Sequence, residues 1–182
     1  MIKLKQFVPE SVCLACDGCC RYPKKETIWA PLFLYDEIVE LTQANIVPSC
    51  LFAHPDIHGK RAARIDLIEH KDLFICPCFE PQENKCKIYP HRPFECQLYP
   101  FLVARKGEQA FLAVDEKCPY VRESMETKAA QDYVQYLTGF LGSEDFIRLA
   151  KNNPETVQAY GQDIKFLASL LELYGASSPQ PQ

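Results

Sequence analysis

Nowhere does the 182-residue sequence hold an unbroken apolar segment of membrane-spanning length. The opening residues, "MIKLKQFVPESVC", lack the apolar run of a secretory signal. Positive charge is not in excess either, since 20 Lys and Arg face 24 Asp and Glu, for a net charge of −4 and a pI near 5.6. A general nucleic-acid binder needs a basic footprint, so neither nucleic acid nor membrane is an expected partner. Motifs of the Walker, GxGxxG, GxSxG and HExxH types are missing, which leaves nucleotide binding and the usual hydrolases without support. Internal repeats and low-complexity segments are also absent. These absences point to a cytoplasmic chain, and 47% apolar content is enough to fill the core of a single domain.

Cysteine, by contrast, is plentiful. All ten lie between Cys13 and Cys118, and four of them crowd into "SVCLACDGCCRYP". A secreted chain with an even count would suggest disulfides, but in a reducing compartment clustered thiols bind metal more often. In Cys13-x2-Cys16-x2-Cys19, two intervening residues let a tight turn aim successive sulfurs at one centre. Ferredoxin-type iron–sulfur ligands use this step, completed by a later Cys-Pro, and Cys76-Pro77 and Cys118-Pro119 are two such pairs. Zinc held by four thiolates uses CxxC knuckles as well.

The doublet Cys19-Cys20 raises a separate question. Neighbouring side chains diverge, so the two would strain to chelate one ion together. Either they serve two adjacent metals or bridge them in a multinuclear cluster, or Cys20 packs as a small buried thiol. The second supply is "ICPCFEPQENKCKIYPHRPFECQLYPF", followed by "DEKCPY". Cys13, Cys16, Cys19, Cys20, Cys76, Cys86, Cys96 and Cys118 suffice for two four-thiolate centres, with Cys78 as a spare or substitute ligand. Cys50, outside both clusters, reads as a plain buried thiol.

These motifs resemble the CxxCxxCC cysteine-cluster family of zinc- or iron-chelating domains. Cys86, Ile88, Tyr89, Arg92, Pro93, Cys96, Tyr99, Pro100 and Phe101 fill the family's second motif in order. The resemblance covers roughly Cys13 to Tyr120, with two departures. Cys78 stands where an aromatic residue is common, and Cys-Pro-Tyr replaces the usual Cys-Pro-Gly at Cys118. The resemblance implies metal chelation by an iron–sulfur cluster or zinc, in electron transfer, metal handling or structural support. Flagellin lysine N-methylases contain a similar cluster, so a protein-modifying enzyme is one alternative. A structural zinc module presenting a surface to a protein partner is another.

Other residues have narrower readings. His54 and His58 sit four apart, but Pro55 between them favours a surface loop over a helical ligand pair. His91 either touches a sulfur or faces solvent. Arg92 can offset thiolate charge, or, more boldly, bind an anionic substrate. Tyr22, Tyr89, Tyr99 and Tyr120 each follow a cysteine closely and are read as amphipathic shields.

Coarse periodicity supplies the fold. "TIWAPLFLYDEIVELTQA" reads as an extended entry into a helix with Leu34, Ile38 and Leu41 on one face. "ARIDLIEHKDLFIC" and "QLYPFLVARKGEQAFLAV" read as hairpins, the second turning at Lys106-Gly107-Glu108. From Arg122 the period is helical through Ala130, Tyr133, Val134, Leu137 and Leu141. Ser143 caps a second helix, and Asn153-Pro154 opens a third. The expected class is α+β, a cysteine-rich strand-and-loop half (1–121) packed on C-terminal helices (122–174), with 175–182 a frayed tail.

Overall fold

The computed structural model describes residues 2–16, 18–52, 62–161 and 163–170. His54, His58 and the segment 175–182 lie outside them. The α+β expectation holds, and the chain divides into two compact units, Met1–Tyr99 and Pro100–Gln182.

The first unit opens with α1 (Glu10–Leu14) and the two-residue strand β1 (Arg21–Tyr22). Strand β2 (Leu32–Phe33) then leads into α2 (Tyr35–Gln43), as the sequence implies. Leu34, Ile38 and Leu41 recur on one face of that entry and helix, and all three are buried. The helix stops because Asn45 adopts a positive φ of 56°, after which the Ile46 N–H reaches back to the Leu41 carbonyl at 2.9 Å. That is a Schellman stop with asparagine in the left-handed position.

Strand β3 (Ala63–Arg64) pairs with β2, and the first expected hairpin forms from β4 (Ile68–His70) and β5 (Leu73–Ile75). β1 adds to the other edge of β5, giving the order β1-β5-β4. A ribbon of β6 (Phe79–Glu80) and β7 (Lys85–Cys86) follows, turning through Asn84 at φ 51°, and then α3 (Phe94–Leu98). The core gathers Phe33, Ile38, Leu41, Phe52, Ile65 and Ile75, with Phe33 and Phe52 edge-to-face at 5.2 Å. Cys76 and Cys78 are buried in the same core, so the thiols are built into the apolar interior.

The second unit contains the longer hairpin, β8 (Phe101–Lys106) and β9 (Gln109–Asp115), whose two-residue loop begins at Gly107 with φ 61°. Helices α4 (Pro119–Ser124), α5 (Lys128–Leu141) and α6 (Glu144–Asn152) follow. Thr127 and Ser143 cap the last two, accepting from the N–H groups of Ala130 and Phe146. Ala130, Tyr133, Leu137 and Leu141 form the buried face of α5, while Val134 is half-exposed.

The third expected helix does not form. After a single 3-10 turn at Pro154–Thr156, the chain becomes β10 (Ile164–Ser169), antiparallel to β9. Its competitors are long-range. Gln158 exchanges two backbone bonds with β8, to Val103 and Arg105, and Asp163 takes a positive φ of 74° that no helix tolerates. Among the described residues, no helix is long and apolar enough to cross a membrane.

Candidate metal centre

The cysteine knot is a succession of tight turns. Cys13 lies on α1, and the Cys16 N–H folds back to the Cys13 carbonyl at 3.2 Å. Gly18–Cys20 is one 3-10 turn leading directly into β1. There the expectation for the doublet fails: the Cys19 and Cys20 sulfurs lie 4.0 Å apart rather than diverging. Two sulfurs on one tetrahedral zinc stand about 3.8 Å apart, so the turn achieves nearly that spacing.

Sheet pairing carries the knot to the second cluster. Because Arg21 pairs with Ile75, the next rung is the Cys76 N–H bonding the Cys20 carbonyl at 3.1 Å. Cys86 then faces Phe79 across the β6–β7 ribbon, and the Lys87 N–H bonds the Cys78 carbonyl at 2.8 Å. The Asn84 side chain also donates to the Ala15 carbonyl in the knot. Cys96 stands in the middle of α3, whose placement depends on two carboxylates. Glu37, 1% exposed, accepts from the Phe94 N–H at 2.7 Å and the Leu34 N–H at 2.9 Å. Glu95 accepts from the Leu32 N–H at 2.7 Å and faces Arg64 at 3.5 Å. Gln97, also buried, takes the Leu4 N–H and donates to the carbonyls of Ile2 and Arg92. Sequence reasoning missed Glu37 and Gln97 as positioning groups. The available signal for Glu37 was a glutamate at the third position of a helix, where it can reach back to the capping residue's N–H.

All ten cysteines are free thiols. Burial raises the Cys96 thiol well above its ordinary pKa, and the fields of Cys76, Cys19, Glu95 and Cys86 raise it further. Cys86 is pushed up to about 11, first by burial, then by Cys76 and Cys19. Cys19 is raised well up, first by its bond with Cys20 and then by burial, and Cys76 first by its bond with Cys78 and then by burial. Cys19 and Cys76 thus act on both Cys86 and Cys96, although the four residues come from four separate segments. Cys13 is raised by burial first and by Cys19 next. Cys16 is exposed, and so is Cys50, which the sequence suggests is buried. Cys118, buried, is the residue preceding α4 in the second unit.

The chain matches, over residues 12–119, a family described as a putative zinc- or iron-chelating domain, CxxCxxCC. It belongs to the CxxCxxCC family. The match takes in every cysteine of the chain. No curated protein and no solved structure matches it.

The chemistry of the donor set fits the family's metals, because thiolates are the preferred ligands of zinc and of iron–sulfur clusters. Among the described residues, no three His, Cys, Asp or Glu side chains stand together as a ready-made metal-ligating group. Compensating charge stands ready in the CxxCxxCC domain. The Arg92 guanidinium lowers the thiol pKa values of Cys13, Cys19 and Cys86, and Lys87 does the same for Cys76. Arg92 is itself fixed on three sides, with Nε on the Tyr89 carbonyl, NH1 3.7 Å from Cys13 Sγ and NH2 on Gln6 Oε1. Its guanidinium carbon also lies 3.8 Å from the Tyr89 ring centroid. These commitments favour charge compensation over the anionic-substrate reading. Of the shielding tyrosines, the Tyr22 hydroxyl donates to the Cys19 carbonyl at 2.6 Å, and Tyr89 hydrogen-bonds the Cys13 thiol.

Arg92→Gln should accordingly weaken zinc affinity by about 10–100-fold, the usual effect of losing a group that supports metal ligands. Competition with a chromophoric chelator measures this, and an unchanged affinity would remove Arg92 from the site.

Proposed function

We propose that this CxxCxxCC protein is a metal-handling module with one resident four-thiolate centre, ligated by Cys19, Cys76, Cys86 and Cys96. The carrying observation is that the Cys76 N–H bonds the Cys20 carbonyl at 3.1 Å, joining the knot to the second cluster, where Cys19 and Cys76 both act on the thiols of Cys86 and Cys96. A centre of this kind ties the knot, the β5–β6 connection, the β6–β7 ribbon and α3 to one point. Its metal would then stabilise the unit as well as define its activity. Cys20 packs against the apolar core beside Cys19, which supports its reading as a neighbouring structural thiol. Cys78 has the same standing beside Cys76. Cys118 belongs to the second unit and is not in this set.

Zinc and an iron–sulfur cluster both accept four thiolates. Anaerobic purification with metal and acid-labile sulfide analysis, together with an optical spectrum, separates them. Iron, sulfide and broad visible absorption identify the cluster, and colourless protein with stoichiometric zinc identifies the mononuclear site. Protein that takes up neither metal overturns the proposal.

A further inference from the structure

Cys20 is a thiol that the four-thiolate centre leaves unused, yet its sulfur stands 4.0 Å from that of its neighbour Cys19. The backbone builds this contact. Gly18–Cys20 is a single 3-10 turn, and the carbonyls of both cysteines are tied down. The Tyr22 hydroxyl donates to the Cys19 carbonyl at 2.6 Å, and the Cys76 N–H bonds the Cys20 carbonyl at 3.1 Å. Tyr22 is buried, so the first of these anchors is itself held by the core. Both residues of the doublet are half-buried, whereas Cys76 and Cys78 are enclosed, at 6% and 5% exposure. A small solute can therefore reach the doublet while the inner pair is shielded.

Closing a disulfide here brings the sulfurs from 4.0 Å to about 2.05 Å, the ordinary S–S bond length. Adjacent Cα atoms stand about 3.8 Å apart across a trans peptide, closer than the roughly 4.4–6.8 Å usual for a disulfide. The resulting small ring is strained, and a strained disulfide is readily reduced again. Such a bond suits a reversible modification better than a permanent staple.

We propose that Cys19 and Cys20 are a redox modification site, closed into a vicinal disulfide by a low-molecular-weight disulfide and reopened by thiol. Cys20 attacks one sulfur of the reagent RSSR, forming a mixed disulfide and expelling RS−. Cys19 then attacks Cys20 Sγ, so that the Cys19–Cys20 bond forms and the second RS− departs. The two cysteine sulfurs are oxidised. RSSR is reduced to two thiols, which take up the two protons that the cysteines shed. The consequence for metal rests on the four-thiolate reading. In the loaded centre the Cys19–metal bond breaks as Cys19 attacks, and the second RS− takes its proton from water. A disulfide sulfur is no longer a thiolate ligand, so the cation is left with three thiolates and is released.

Disulfide mapping on metal-free wild-type protein tests the site itself. The reduced chain is equilibrated with oxidised glutathione, its free thiols are alkylated, and its fragments are sequenced by mass spectrometry. Cys19 and Cys20 should escape alkylation together, joined to each other, and dithiothreitol should restore both thiols. A chain with no intramolecular disulfide overturns the assignment. So does one joined as Cys13–Cys16 or Cys76–Cys78 with the doublet still alkylated. This measurement needs no variant.

Zinc release tests the consequence. Zinc-loaded wild-type protein and its Cys20→Ser variant are treated with oxidised glutathione beside a chromophoric chelator. The wild type should lose its zinc and the variant should keep it, because Cys19 then has no partner. A variant that loses zinc as fast as the wild type overturns the regulatory role, as does a wild type that keeps zinc after the doublet has closed. Wild-type protein that binds neither zinc nor iron overturns the four-thiolate reading instead, and the disulfide map then decides the modification site alone.

Discussion

Cys96→Ser will lose the resident metal and most of the stability that the metal confers. A cation binding the assembled site but not the unfolded chain stabilises the fold by mass action. At free metal a thousandfold above the dissociation constant this amounts to roughly 4 kcal/mol. A serine hydroxyl is a poor substitute for a thiolate, so the linkage largely vanishes. Cys96 is the informative position because its helix is independently anchored. Glu37 holds the Phe94 N–H, Glu95 holds the Leu32 N–H, and Gln97 holds the N-terminal segment, so α3 itself should persist in the variant. Urea unfolding with metal analysis would show the variant matching chelator-treated wild-type protein. Cys50→Ser, altering an exposed thiol outside the cluster, should retain both metal and stability. If Cys96→Ser keeps its metal, the four-thiolate assignment is wrong.

The second large effect concerns Glu37. Its carboxylate is almost fully enclosed and satisfies two backbone N–H groups, at the entry of α2 and the first turn of α3. Glu37→Ala leaves both donors buried without partners. At about 1–3 kcal/mol for each unsatisfied group, the variant should lose roughly 2–6 kcal/mol. Burial also raises the carboxyl pKa to about 7, against lowering contributions from the Leu34 and Phe94 N–H groups. The native state therefore binds a proton more tightly than the unfolded chain, whose glutamate titrates near its ordinary value. Glu37-linked stability is complete below about pH 4.5 and falls as pH rises through 7. The full excursion is about 3 kcal/mol. Subtracting the Glu37→Gln stability profile from the wild-type profile isolates it. A difference that is flat between pH 5 and pH 8, or that rises with pH, would contradict this account.

Both cases show what the sequence could and could not reveal. Helices α2, α5 and α6 and both hairpins were legible because their signals are local: apolar period, capping residue, turn residue. The segment after Pro154 carries a good helix-opening pair, yet it becomes the edge strand β10. The deciding bonds come from β8 and β9, some 40 to 60 residues earlier in the chain. The site divides the same way. Thiol spacing and the Arg-Pro motif marked the cluster and gave Arg92 its compensating role. The closeness of Cys19 and Cys20 came from a 3-10 turn that spacing does not predict, and the exposure of Cys50 depends on packing elsewhere. Glu37 and Gln97 act on α3 through partners distant in sequence, and no motif encodes that.

X-ray absorption at the edge of the bound metal tests the central claim most directly, since it counts and identifies the ligands of the resident centre. The four-thiolate assignment predicts that every protein ligand is sulfur. For zinc this means a single shell of four at about 2.3 Å. A shell containing nitrogen or oxygen neighbours near 2.0–2.1 Å, or fewer than four sulfurs per zinc, would contradict it.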